Sequence, residues 1–406
     1  MDHNTISRFI TITDVEECVD NILGSEPLDT VARRLQLSAS EISFFTYSNV
    51  LRKLLVWKQL YRLREDVDRF YSDQSQHNRA APPDNQSPLH LEAFEKAFKD
   101  INDACGRPFG RGRINYFLDM GFAPGGFSTW LLRTNPDANG VGITLSPEAS
   151  RIWSQVDPQF RPRFQENHGD IRRLAAGDIS INVPLGGFDL VVANVSVMLN
   201  ENGLEWKDRV HLVYAQLVVA FRYIALGGSL VISLQAGPFI YIVDILDVLR
   251  QCFRTTRAVK PKFQRRRSIA YVVCQDYISS DDTRRSFLRR LELGIQYLGR
   301  TDIHSDATSG TSGMPRISGL TDERLLNAES RAYIVSLLEP VWQRQLEAIQ
   351  EHYQKILGSG NELAARGTAE TGTVAAARAA AAAAAYPGEG IIETTTLSGH
   401  EGKAQA

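Results

Sequence analysis

Phe117-Leu118-Asp119-Met120-Gly121-Phe122-Ala123-Pro124-Gly125-Gly126-Phe127-Ser128 is the stretch on which the fold turns. Tyr116 to Leu118 lean apolar and run into an acid, then a glycine-rich turn, then a helical pattern from Ser128 through Leu132. That order reads as a strand, a tight turn and a helix N-terminus. Gly121, Gly125 and Gly126 permit positive φ and remove side chains where a ligand must approach the backbone. The amides of the helix start favour negative charge. Asp119, at the strand's end, is placed to accept hydrogen bonds. Neither G-x-x-x-x-G-K-[ST] nor G-x-G-x-x-G occurs at this turn, so the phosphate-loop and dinucleotide fingerprints do not apply.

Downstream, strand-like and helix-like segments alternate. Strands are expected at Tyr116–Leu118, Gly140–Leu145, Phe164–Asn167, Phe188–Val192, Ser229–Leu234 and Ile269–Tyr277. Helices are expected at Ser128–Leu132, Pro147–Val156, Arg209–Ile224, Phe239–Gln251 and Asp281–Leu298. Strands separated by helices of this length predict an α/β, Rossmann-like fold: a mostly parallel sheet with helices on both faces. Ligands on such sheets bind at the carboxyl ends of the strands.

Upstream, residues 1–80 read as helical. Val15, Val19 and Ile22-Leu23 keep a 3.6-residue beat that Gly24 and Pro27 end. Ser38-x-x-Glu41 resembles a capping box and predicts one long helix from Ala39 to about Tyr71, with Leu54, Trp57 and Leu60 on its apolar face. Ser72 to Pro88 is polar and proline-containing, a linker. Leu89–Ala104 is a helix leading into the 89–300 domain. Thr301–Gly319 is a polar loop. Residues 320–358 form a helical C-terminal extension, with Thr321–Leu357 helical and Pro340 a candidate break. Residues 359–406, rich in Ala, Gly, Thr and Glu, predict a disordered tail.

Composition narrows the class. The 406 residues are 43% hydrophobic, ample for a core, and the formal charge of −2 leaves nucleic-acid binding to a local patch. Cys18, Cys105, Cys252 and Cys274 form no C-x-x-C, which fits a reducing compartment, cytoplasmic or nuclear, and no metal site. Met1 to Arg8 has no apolar core of a secretory signal, and no membrane span is expected.

The Asp119-to-Ser128 run resembles the first motif of S-adenosylmethionine (SAM) dependent methyltransferases. Its Ala-Pro-Gly-Gly-Phe-Ser ending resembles the FtsJ-like (RrmJ-type) RNA 2′-O-methyltransferase family, and the likeness extends from about Leu91 to Tyr277. The resemblance implies SAM as cofactor, held by Asp119, Gly121, Ala123, Pro124, Gly125, Gly126 and Phe127. It also implies contacts from Thr144, where an acid usually binds the ribose hydroxyls, from Asp170 near the adenine, and from Asn194. Glu148 either substitutes for the ribose acid or stabilises the next helix's first turn. Asp170 either meets the adenine or caps the turn before Arg172.

The family's ribose chemistry uses a Lys-Asp-Lys-Glu tetrad, because a 2′-hydroxyl is a poor nucleophile and needs a tuned lysine. Lys99 matches the first position, with Lys96 the runner-up. Asn194 stands at the acid, Ser233 at the central lysine, and Ile269 or Ala270 at the glutamate. His168 and His211 lie near the motifs and read as structural or exposed. Arg254, Arg257, Lys260, Lys262, Arg265, Arg266 and Arg267 put seven cations within fourteen residues, either an RNA-binding edge with Phe263 stacking or a solvated loop. The sequence thus implies an FtsJ-like methyltransferase acting on or binding RNA. The alternatives are a catalytically inactive SAM- or RNA-binding scaffold and a methyltransferase with a non-ribose acceptor.

Overall fold

A computed structural model describes residues 11–63, 88–195, 206–300 and 313–383. Residues 1–354 form one compact unit, across the three regions that composition sets apart, and residues 355–406 form a second.

Four helices open the first unit: α1 (Ile12–Ser25), α2 (Leu28–Arg34), α3 (Ala39–Tyr47) and α4 (Asn49–Leu63). The single helix expected over 39–71 is divided at Ser48, which is extended at φ −108° and caps the next turn by accepting from Leu51 N. A serine serves better as a cap than inside a helix, and here it overrides the apolar periodicity that runs through it. The remainder of that helix and most of the Ser72–Pro88 linker lie outside the described residues. Helix α5 (Pro88–Ala104) then leads to the sheet.

The sheet elements follow in order: β1 (Tyr116–Met120), α6 (Gly126–Thr134), β2 (Asn139–Thr144), α7 (Pro147–Ser150), β3 (Phe164–His168), α8 (Ile171–Ala176) and β4 (Phe188–Ala193). Next come α9 (Trp206–Tyr223), β5 (Ile224–Gln235), α10 (Ile240–Cys252), β6 (Phe253–Val259), β7 (Ile269–Tyr277) and α11 (Asp281–Leu298). The seven strands are ordered β3-β2-β1-β4-β5-β7-β6. β1 to β5 pair in parallel, and β7 runs antiparallel to both β5 and β6. β4 is buried almost throughout, as a central parallel strand covered on both faces must be. One face of the sheet packs Val192, Val231, Tyr271 and Val273 against Phe98 of α5 and Phe127 of α6.

Two sequence expectations fail inside this sheet. The helix expected at Pro147–Val156 stops after one turn, because Arg151 takes a left-handed φ of 56°. Strand β6 lies where only a basic segment was read. Its Phe-Arg-Thr-Thr-Arg-Ala-Val run buries Phe253 and Val259 and exposes the positions between, so alternation is weak at an edge.

Helices α12 (Asp322–Leu325) and α13 (Ala328–Ala383) close the described chain. Pro340 lies inside α13 without ending it. The tail expected from residue 359 begins within the range of α13, whose helix runs to Ala383. The last residues of the expected tail, 384–406, lie outside the described set.

Candidate functional site

The carboxyl ends of β1, β2 and β4 meet at the glycine turn, where Gly121 N donates to Ile143 O at 2.7 Å and a Cβ on Gly121 would stand 2.9 Å from Val195 Cα. Asp119 ends β1 but faces inward: it is 1% exposed and accepts the Ser128 hydroxyl at 2.7 Å and also its amide. Burial pushes its carboxyl up to about 7, while the two Ser128 hydrogen bonds pull it down. Asp119 thus accepts hydrogen bonds as its place in the sequence implies, and through Ser128 it holds the turn's shape.

Gly125 caps α6 at φ 112° and brings no side chain of its own, while Asp119 takes the Ser128 amide in the first turn. The Gly126 and Phe127 amides before it are left to a ligand carboxylate or to water. A Cβ on Gly125 would stand 2.4 Å from Val156 Cγ2. Segment 151–156 brings Val156 there, anchored by Gln155 N donating to Pro124 O at 2.8 Å and Ser154 Oγ donating to Glu166 at 2.7 Å. A Cβ on Gly126 would stand 2.6 Å from Leu91 O, so this glycine lets α5 lie against α6. The two glycines expected to make room for a ligand make room for the protein's own packing as well. Phe127 points into the core, against Phe98 and Tyr271.

Thr144, the last residue of β2, is half-buried opposite His168. Leu145 and Trp153 beside it are 44% and 45% exposed, an apolar surface at the strand end. Glu148 is fully exposed, and its carboxyl is held low by its own amide and by the Ser146 hydroxyl, which is the helix-start role. Asp170 caps α8 through Arg172 N at 2.8 Å and is gripped by the Arg172 guanidinium at 2.6 Å. Burial acts against its charge, yet these bonds hold its carboxyl below the usual range. Of its two readings, the turn cap is the one the geometry displays. His211 is half-buried, and burial followed by the Arg172 charge depresses it, against Asp170 and Asp208.

The acceptor end lies across β4, β5 and β7. Asn194 donates its backbone N–H to Met120 O at 3.0 Å, and its side-chain Oδ1 accepts the Tyr271 hydroxyl at 3.2 Å. Tyr271 is the register partner of Ser233. The side chain facing the central position is therefore Tyr271; Ile269 shares that face but pairs with Gln235, and Ala270 points to the other face. Gln264 hydrogen-bonds the Tyr271 hydroxyl and is 5% exposed, with its Oε1 unpartnered. Gln264, Tyr271 and Asn194 thus form a row of neutral hydrogen-bonding groups. Burial pushes the Tyr271 phenol upward, against Gln264 and Arg267.

Lysines stand apart from this row. Lys99 and Lys96 are exposed on α5, on the side away from Phe94, Ala97, Phe98 and Ile101, which form its packed face. The structure does not bring Lys99 to Asn194. Lys260 is 2% exposed and donates to Arg267 O and Ile269 O, so its ammonium is turned into backbone. Burial, then the Lys58 charge, lowers it to about 7. Lys58 itself, lowered to about 8 chiefly by burial, donates to Ser268 Oγ at 2.9 Å. Lys260 is therefore structural, which corrects its place in an RNA-binding edge. Arg254 is paired with Asp276 and Arg265 with Glu351. Arg257, Lys262, Arg266 and Arg267 remain exposed, as does Phe263, whose ring meets Phe94 at 5.7 Å. Among the described residues, no three metal-ligating side chains converge and no helix is long and apolar enough to cross a membrane.

Sequence reasoning missed Gln264 and the position of Tyr271. Both depend on the β5–β7 register, which the length of the intervening chain does not set.

The family model of the FtsJ-like methyltransferases matches residues 86–277. Ribosomal RNA large subunit methyltransferase E of Treponema denticola is 28% identical over 163 residues, 39% of this chain and 76% of that protein. Its counterpart from Nitratidesulfovibrio vulgaris is 27% identical over 164 residues, 39% of this chain and 76% of its own. Among solved structures, Aeropyrum pernix fibrillarin in complex with SAM is 16% identical, with a TM-score of 0.32, over 45% of this chain and 76% of that one.

Proposed function

We propose that residues 86–277, which the family model of the FtsJ-like methyltransferases matches, bind SAM at the glycine turn and engage RNA, and do so without the lysine tetrad of ribose 2′-O-methylation. The observation that carries this reading is the Gln264–Tyr271–Asn194 row, with Ser233 opposite Tyr271, where a tuned lysine and its acids would stand.

The residues present fit SAM. The Gly126 and Phe127 amides at the start of α6 suit its carboxylate, the Thr144 hydroxyl suits a ribose hydroxyl, and exposed Leu145 suits the base. Thr144 is a weaker partner than a carboxylate, so affinity is lower than an acid there would give. When bound, SAM supplies an electrophilic methyl group. The chain's own part is to orient the acceptor, through the Asn194 side-chain Nδ2 and the unpartnered Gln264 Oε1. A ribose hydroxyl must also lose a proton. Ser233 is neutral at pH 7 and the Tyr271 phenol is pushed the wrong way, so the roughly 10²–10⁴-fold help of general acid–base catalysis is missing.

A second reading follows from Gln264. Its orphaned oxygen is an acceptor, which an exocyclic amine of a base would satisfy. An amine acceptor can discard its proton after methyl transfer and needs less help from a base. The four free cysteines suit a reducing compartment for either reading.

Calorimetry with SAM, followed by a tritiated-SAM assay on total RNA resolved into ribose and base label, tests both. SAM binding with no ribose 2′-O label is expected. Robust ribose label would overturn the main reading, and base label would establish the second.

A further inference from the structure

The edge of the sheet carries a second site. Among the described residues β6 pairs only with β7, so one row of its backbone groups faces outward. Beside it, α13 and the end of α5 wall a cavity of about 340 Å³. Arg257, Arg344, Thr256, Tyr333 and Ser336 line it, and no lining residue is acidic. The Arg257 guanidinium reaches Ala104 O, and that of Arg344 reaches Lys260 O, both at 3.4 Å. These are long bonds to neutral carbonyls. Other arginines of this region are matched by carboxylates: Arg254 by Asp276, Arg265 by Glu351 and Arg250 by Asp247.

Pro340 also lines the cavity. Having no N–H, it leaves the Ser336 carbonyl without its partner in the helical ladder. The Thr256 and Tyr333 hydroxyls meet at 2.6 Å in the same wall. On a floor that Ala104, Ala258, Val259, Leu337 and Val341 make largely apolar, the cavity thus presents three hydroxyls and two guanidinium forks of the kind that match phosphate oxygens.

Its direction links it to the candidate site. β6 is antiparallel to β7, and β7 to β5, so β6 runs the same way as β5. The Val259 end of the groove thus lies on the same side of the sheet, the carboxyl end of the parallel strands, as Asn194 and the glycine turn. Exposed Lys262, Phe263, Arg266 and Arg267 continue from that end.

We propose that this groove holds the sugar-phosphate backbone of a single-stranded RNA, beyond the nucleotide at the candidate site. The proposal rests on the RNA reading above. It differs from the basic edge read in the sequence because α13, outside the 86–277 segment, supplies half of the wall.

The test is fluorescence anisotropy of a labelled single-stranded oligoribonucleotide across a salt series. The variants are Arg257→Ala/Arg344→Ala and Ser336→Glu, the latter placing an acid at an exposed helical position. Both should melt like the wild type and keep the SAM heat. The double variant should weaken RNA binding about tenfold and lower the slope of log affinity against log salt by roughly 1–1.5. Ser336→Glu should weaken binding in the same direction. Failure of the wild type to bind RNA would fell both this inference and the RNA reading. Binding with an unchanged slope in both variants would overturn the groove alone and leave the RNA reading standing. Inorganic phosphate and AMP are titrated in parallel. Arginine-dependent binding of either, with RNA binding unaffected by the substitutions, would assign the groove to a small anion and overturn the proposal.

Discussion

Asp119 shows what one residue can and cannot reveal from sequence. Its place at the end of a strand before a glycine turn was legible, and so was the turn. Its orientation was not, because whether an acid faces a ligand or the Ser128 hydroxyl depends on how the following helix sits. A consequence is measurable. With its folded pKa raised to about 7, the carboxyl keeps its proton in the folded state while the unfolded chain releases it from about pH 4 upward. Its contribution is fully present below about pH 4 and is lost as pH rises to about 7. Asp119→Asn, which resembles the protonated acid, removes that dependence. Urea unfolding at pH 5 and pH 8 should show the wild type losing roughly 1–3 kcal/mol more than the variant between the two. Parallel losses in the two proteins would mean that Asp119 is ionised in the fold.

At the scale of elements, long apolar segments are legible in the sequence and the residues that end them are not. β4, α10 and α11 lie within a residue or two of where their apolar patterns put them. Ser48 and Arg151 ended helices that periodicity alone would continue. An acid inside an apolar helix was the signal most worth more weight. Asp244, in Ile-Tyr-Ile-Val-Asp-Ile-Leu of α10, is fully buried and accepts Ile317 N at 2.7 Å and Ser318 N at 3.0 Å. Burial raises its carboxyl, and the two amides offset part of that. It fastens the start of the C-terminal extension to the sheet's helical layer. Asp244→Ala strands two amides and should cost about 2–5 kcal/mol, read from the urea midpoint. Asp244→Asn, which keeps one acceptor, should lose clearly less. Equal losses would point to a volume effect.

For the whole molecule, the contrast is between the 86–277 segment that family likeness marks out and the 1–354 unit that folds together. The apolar stripe Leu54, Trp57 and Leu60 on α4 was visible in the sequence; what it covers was not, since that partner lies some 290 residues later. Trp57 stands edge-on to Tyr353 at 5.8 Å, Ser48 Oγ donates to Glu339, and the Tyr61 hydroxyl meets His352 Nδ1 at 2.7 Å. Trp342, 1% exposed, donates its indole N–H to Ala236 O at the end of β5. The N-terminal helices thus cover α13, and α13 braces the strand that carries Ser233. Removing residues 1–87 would uncover Tyr353 and its neighbours, a patch large enough to drive association. The shortened chain should aggregate, even though every strand of the sheet is kept. Trp57→Ala, a milder cut at the same interface, should cost about 3–5 kcal/mol and lower the melting temperature of the sheet and the helices together. Near-UV circular dichroism and far-UV circular dichroism should report one coincident transition. Two separated transitions, or a soluble and cooperatively melting chain that begins at Pro88, would show that the sheet stands without its helical cover.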